Sequence, residues 1–167
     1  ELGAARQTVE RMKRDQLLLA EAMPLARPTG KAYSSWVEAF SLPPAISLRL
    51  PPGTKTYADD RGLVAMRASQ ATSSLPWLSI SPYTAEQARR LEDTLANPEP
   101  VSYLVAGNLV TGIRGQRDGQ SGSSYTYVLQ VVSPEGGNST HLIWAQTERE
   151  ITELRIRDTL ASLALRS

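Results

Sequence analysis

The chain has 167 residues, of which 41% are apolar, and its 18 basic side chains nearly balance 17 acidic ones. This length fits one domain with a short appendage, and a net charge of +1 does not supply the basic face that nucleic-acid binding requires. The absence of cysteine excludes thiol catalysis, disulfides and cysteine-ligated metals, and the single histidine, His141, argues against a histidine-based zinc site.

The composition also indicates where the protein works. Arginine outnumbers lysine by 15 to 3, and alanine and leucine are abundant, which is typical of GC-rich bacterial coding sequences. No apolar run reaches the ~18 residues that span a bilayer. The chain begins at Glu1 rather than at methionine, which leaves room for a signal peptide or membrane anchor upstream of Glu1, as an exported protein would have.

Residues 1–23 predict one amphipathic helix. Positions spaced alternately three and four residues apart form an unbroken heptad seam: Leu2, Ala5, Val9, Met12, Gln16, Leu19 and Met23. So short a helix is marginal alone. Its stripe is therefore expected to pack on its own domain, on a second copy or on another protein's coil. We interpret Val9, Met12 and Leu19 as partner-binding positions.

Residues 24–41 predict a proline-rich linker. Pro24 ends the helix because proline lacks the amide hydrogen that the helical ladder needs. Within the linker, residues 34–40 predict a short helical turn, and its apolar anchors are Trp36, Val37 and Phe40. We place the globular domain at residues 42–167.

The domain opens with three predicted strands. Residues 46–50 alternate between apolar and polar side chains, and 63–66 and 75–80 are apolar runs of strand length. Because Pro76 cannot donate a ladder hydrogen bond, the third strand is expected at a sheet edge or to begin at the proline.

A helix is predicted next. Thr84 and Gln87 stand in the spacing of a capping box, so the helix is expected to begin there and to end at Asn97-Pro98. Its buried face is predicted to carry Ala88, Leu91 and Leu95.

Three further strands, 103–110, 125–132 and 140–145, predict an antiparallel meander. Thr147 and Glu150 form a second capping box, which predicts a terminal helix that ends near residue 165. The sequence therefore predicts an α+β fold, in which an antiparallel sheet of about six strands is covered by helices and preceded by the heptad helix.

Residues 112–124 are rich in glycine and serine and predict a long loop between two of these strands. Their glycine spacing is superficially that of a phosphate-binding loop, but such a loop must be followed by a helix N-terminus, and here a strand follows. We expect a mobile loop with Arg114 and Arg117 exposed. The two arginines are interpreted either as contacts for an anionic partner or as part of a solvated tip.

No catalytic constellation is predicted. His141 lies in a predicted strand without a nearby acid or nucleophile and is interpreted as structural. The acidic residues Asp59-Asp60, Glu148 and Glu150 have local explanations in a turn and in a first helical turn. We therefore predict no catalytic residue, no cofactor and no metal site. A competing hypothesis is a binding or catalytic pocket at one end of the meander, formed by Arg114, Tyr125, Tyr127, His141 and Trp144.

Several of these segments together resemble the PsbP-like superfamily, which includes the DcrB-like envelope proteins. Residues 47–53 resemble the opening strand and Pro-x-Gly turn of those domains, the meander resembles their central strands, and 150–165 their closing helix. Thr54 stands where that family carries an aromatic residue, and a lipid-anchor cysteine is absent. The resemblance implies an antiparallel sheet covered by helices and a binding or assembly role.

The segment 1–23 is separately similar to the stretch that follows the membrane anchor in assembly components of secretion and pilus machines. Together these observations predict a non-enzymatic bacterial envelope protein, periplasmic or anchored in the inner membrane, that acts through protein–protein contacts. The alternatives are the small ligand-binding protein or enzyme above, and an immunity or inhibitor protein.

Overall fold

The computed structural model describes residues 22–25, 37–41, 45–50, 54–59, 62–67, 77–133, 137–147 and 151–166. The elements in chain order are β1 Met23–Leu25, β2 Val37–Ser41, β3 Ala45–Leu50, β4 Thr54–Asp59, β5 Gly62–Arg67, β6 Leu78–Pro82, α1 Ala85–Glu92, β7 Ala96–Val105, β8 Asn108–Gln116, β9 Thr126–Val132, β10 Ser139–Gln146, α2 Glu153–Ala161 and β11 Ala164–Arg166. The α+β class is confirmed. The heptad helix, with Val9, Met12 and Leu19, lies outside the described residues.

Two sheets account for all the described strands. The larger has eight strands in the order β1-β7-β8-β9-β10-β6-β5-β4, and the smaller has three in the order β11-β3-β2. Every pairing is antiparallel except that of β1 with β7, which is parallel. The predicted antiparallel sheet of about six strands is therefore correct only in part, because the larger sheet has eight strands and is mixed rather than purely antiparallel.

Alternation along β9 separates two apolar layers of the larger sheet. Tyr127, Leu129 and Val131 face a core that also contains side chains of β3 and α2. Val128, between them, faces the opposite layer, where α1 packs with Ala88 buried. The larger sheet is thus covered by α1 on one face and by α2 with the smaller sheet on the other.

Hydrogen bonds explain how the chain end joins this core. The Ser162 hydroxyl, at the C-cap of α2, accepts a hydrogen bond from the Arg49 amide at 2.8 Å. This contact brings the end of α2 to β3, and β11 then pairs with β3. The terminal helix is shorter than predicted because it ends at Ala161 and a strand follows.

Local signals were correct at some helix ends and wrong at others. The Thr84 hydroxyl accepts a hydrogen bond from the Gln87 amide at 3.2 Å, which confirms the first N-cap. The second cap is Thr152 rather than Thr147, whose hydroxyl accepts a hydrogen bond from the Tyr125 amide instead. Helix α1 ends at Glu92, so Asn97-Pro98 belongs to β7 and does not terminate the helix.

Four predictions of local structure need correction. Residues 103–110 are not one strand, because Ala106 and Gly107, at φ 49° and 82°, form a turn between β7 and β8. Residues 112–116 belong to β8 and not to a loop. Residues Val37–Ser41 form β2 where a helical turn was predicted, and Met23 lies in β1 rather than at a helix end. No helix in the described part of the chain is long and apolar enough to cross a membrane.

Candidate functional site at Arg114

Three polar side chains lie in one row across the larger sheet. Glu99 of β7 is the cross-strand partner of Arg114 of β8, and Arg114 is in turn the partner of Tyr127 of β9. Cross-strand partners project from the same face of a sheet. The row therefore lies on the face that α2 covers, and α2 begins beside it with Glu153.

Arg114 connects this row to α2. Its Nη1 donates a hydrogen bond to Glu153 Oε1 at 2.6 Å, and its Nη2 donates to Glu99 Oε2 at 2.9 Å. Its guanidinium carbon lies 4.3 Å from the centre of the Tyr125 ring, within the range of a cation–π contact. The Tyr127 hydroxyl donates to the same Glu153 Oε1 at 3.0 Å. We call these five residues the Arg114 cluster.

The solvent exposure of the cluster's side chains increases from the core outward. Tyr127 is buried, the Arg114 and Glu153 side chains are 24% and 33% exposed, and the Glu99 side chain is 63% exposed. Glu153 occupies the first turn of α2, where the positive end of the helix dipole stabilises a carboxylate. The Thr152 hydroxyl caps the same turn by accepting from the Arg155 amide. Arg114 and the helix dipole therefore both stabilise the Glu153 carboxylate at this position.

Protonation states in the cluster are fixed by its geometry. Its hydrogen bond to Glu99 raises the pKa of Arg114 above the usual range, against the opposing effect of burial. Burial raises the pKa of Tyr127 well above its usual value, the Glu153 carboxylate adds to the rise, and Arg114 opposes it. Arg114 is therefore a permanent cation and Tyr127 a neutral donor. Two carboxylates against one guanidinium leave a formal charge of −1.

Arg117 lies apart from this cluster, on the other face of the sheet. Its guanidinium carbon is 5.3 Å from the Trp144 ring centre, and Trp144 belongs to the layer beneath α1. The Arg117 amide donates to Gln120 Oε1, and Gln120 Nε2 donates to the Tyr125 carbonyl. Both arginines are thus half-buried, so the prediction that they are exposed is wrong. The structure places them on opposite faces rather than together.

The predicted pocket residues separate in a similar way. Arg114, Tyr125 and Tyr127 do come together, but Trp144 lies on the opposite face. His141 is 1% exposed, and its Nδ1 lies 2.9 Å from the Thr140 hydroxyl. It stands four residues along β10 from the partner of Tyr127, which is roughly 13 Å.

Two acidic members of the cluster were missed by sequence reasoning. Glu153 was assigned no role from the sequence, and neither was Glu99. The pairing of Glu99 with Arg114 depends on the register of the β7–β8 hairpin. Because residues 103–110 were predicted to be one strand, this hairpin was not predicted. Among the described residues, no three histidine or acidic side chains are grouped as metal ligands.

Comparison with known proteins adds little to this geometry. The chain matches no protein-family model and no curated protein. It is similar in structure to a crystal structure from Bacteroides thetaiotaomicron VPI-5482, with a TM-score of 0.34 and 10% identity. The match covers 73% of this chain and 45% of that one, so it spans less than half of that protein's length. A TM-score this low assigns neither fold family nor function.

Proposed function

We propose that this protein is a non-enzymatic bacterial envelope protein that acts through protein–protein contacts, with its N-terminal segment as the contact element. The periplasm, or the periplasmic face of the inner membrane, is the proposed location. A domain of the PsbP-like or DcrB-like kind is the proposed fold family. The heptad seam of residues 1–23 and the export-compatible composition support this proposal.

One observation on the folded domain supports a structural rather than a catalytic role for the Arg114 cluster. In the Arg114 cluster, Arg114 already donates to two carboxylates, and Tyr127 donates to one of them. General acid–base catalysis works best with a group whose pKa lies near the operating pH. Both pKa values are raised away from neutrality, so neither group is suited to proton transfer. The cluster is thus a structural connection between sheet and helix.

The proposed contact element is tested by removing its apolar seam. Val9→Ser, Met12→Ser and Leu19→Ser are combined in the full chain, and Leu18→Ser, one residue off the seam, is the matched control. Fluorescence-detected sedimentation velocity then measures the labelled chain alone and in solubilised envelope extract of the producing bacterium.

We expect faster-sedimenting complexes for the wild type and the control, and only monomer for the triple variant. The far-ultraviolet circular dichroism of the domain should remain. The proposal is overturned if the triple variant sediments like the wild type, or if the wild type forms no complex alone or in extract.

A further inference from the structure

The outer edge of β7 is only partly covered by the described residues. Strand β7 spans Ala96–Val105, but β1 pairs with its last three residues alone, from Tyr103 to Val105. Residues 96–100 are exposed. Pro98 and Pro100 lack the amide hydrogens that a further strand would need, so this edge is unsuited to strand addition. A segment that covers it must bind through side chains.

The chemistry of this edge is acidic and apolar. Glu99 lies on it, and Glu153 binds the same guanidinium, so the two carboxylates are held close together. Leu154 follows Glu153 and is 62% exposed, although most of the described leucines are buried. We call Glu99, Glu153 and Leu154 the acidic edge. A complementary segment would present basic side chains beside an apolar one.

Residues 1–21 contain such a patch. In the predicted helix, Lys13, Arg14 and Leu17 are spaced so that all three lie on one flank. That flank is separate from the heptad seam of Val9, Met12 and Leu19. The helix could therefore bind the acidic edge through this flank and still present its seam.

The register of β1 is consistent with this patch lying beside Glu99. Because β1 runs parallel to β7, the chain before Met23 approaches from the side of Glu99, and Ala22 is still buried against the domain. Glu99 precedes Tyr103 by four residues, or about 13 Å of strand. Arg14 precedes Met23 by nine residues, or about 13.5 Å of helix.

We propose that residues 1–21 lie as a helix along the open edge of β7, with Lys13 and Arg14 against Glu99 and Glu153 and with Leu17 against Leu154. The helix is then a fixed extension of the domain, and its seam is directed away towards a partner. This inference rests on the proposed function for the role of the seam, but the docking itself is tested independently.

The absence of cysteine makes a direct test available. Arg14→Cys is combined with Pro98→Cys in the full chain, and oxidised glutathione serves as the oxidant. The control pair is Arg14→Cys with Asp118→Cys, on the exposed turn after β8. We expect an intramolecular disulfide at 14–98, seen as an intact-mass loss of two hydrogens, to form at least tenfold faster than the control. Lys13 remains to pair with Glu99.

Three further variants test the contacts in the 14–98 background. Leu154→Ser should slow cross-linking about tenfold, as should Glu99→Lys, and adding Lys13→Glu should restore the rate in the Glu99→Lys chain. Glu86→Lys, at an exposed ion pair on α1, should have no effect. Cross-linking between chains only, which would indicate a second copy as occupant, overturns the inference, as does a rate equal to the control. Either result leaves the seam test above unaffected.

Discussion

At the scale of single residues, Arg114 joins three strands and a helix through one guanidinium. Replacing it with methionine keeps most of the apolar stem but leaves Glu99 and Glu153 facing each other without a cation. Hydrogen bonds to charged groups contribute about 1.5–3 kcal/mol, so we expect Arg114→Met to lower the free energy of unfolding by about 2 kcal/mol.

Urea denaturation followed by tryptophan fluorescence measures this loss. The matched control is Arg90→Met, because Arg90 donates to Glu86 at 2.7 Å in an exposed pair on α1. Such helix pairs contribute only about 0.3–0.5 kcal/mol. Equal losses for the two variants would contradict the structural role assigned to Arg114.

Tyr127 gives a prediction for alkaline pH. Its pKa is raised in the folded protein, mainly by burial, whereas the unfolded chain titrates near its usual value of about 10. A raised pKa stabilises the fold fully below pH ~10, and this contribution is lost as the pH rises further, by up to about 1.4 kcal/mol per pH unit.

Tyr127→Phe removes this titration together with the hydrogen bond to Glu153. The variant should be less stable than the wild type by about 1–2 kcal/mol at pH 7, and the gap should narrow from pH 10 upward. Urea melts of both proteins between pH 7 and pH 11 measure the difference. A gap that stays constant or widens would show that Tyr127 does not have a raised pKa in the folded protein.

At the scale of elements, the β7–β8 hairpin contains local strain. Its two turn residues both have positive φ, at 49° for Ala106 and 82° for Gly107, as in the turns that favour Asn-Gly. Alanine is poorly suited to this conformation, whereas asparagine tolerates it. We expect Ala106→Asn to stabilise the protein by about 0.5–1 kcal/mol.

Thermal denaturation checks this prediction. At this chain length, the stabilisation corresponds to an increase in Tm of about 1–4 °C. Ala96→Asn, at the exposed start of the same strand, serves as the control and should not raise the Tm. A fall in Tm for Ala106→Asn would mean that the turn geometry is not as described.

Element identity was predictable where one local signal dominated. Alternation located β3, the predicted meander located β9 and β10, and the capping pattern located the start of α1. The hairpin at Ala106-Gly107 was missed because its turn lacks the usual Asn-Gly pair and interrupts a continuous apolar run. Gly112 was predicted to lie in a loop, but it lies in β8. A Cβ at this position would overlap the Val128 carbonyl oxygen, so glycine is needed here for strand packing.

At the scale of the whole molecule, contacts between distant parts of the chain were not predictable. Strands β1 and β11 are three residues long, and their pairing with β7 and β3 depends on packing rather than on local propensity. The Arg114 cluster combines residues from positions 99 to 153, so its composition depends on the register of three strands. Sequence reasoning identified Arg114, Tyr125 and Tyr127, whose residue types are conspicuous, but not the two glutamates that neutralise the arginine.

The central claim, that the seam of the N-terminal segment contacts other proteins, is tested most directly in the producing bacterium. A photo-cross-linking amino acid replaces Met12 on the seam in one strain and Asp118 on the exposed turn in another. We expect irradiation to yield a discrete protein adduct from position 12 and none from position 118. An absence of adducts from position 12, or equal adducts from both positions, would contradict the account.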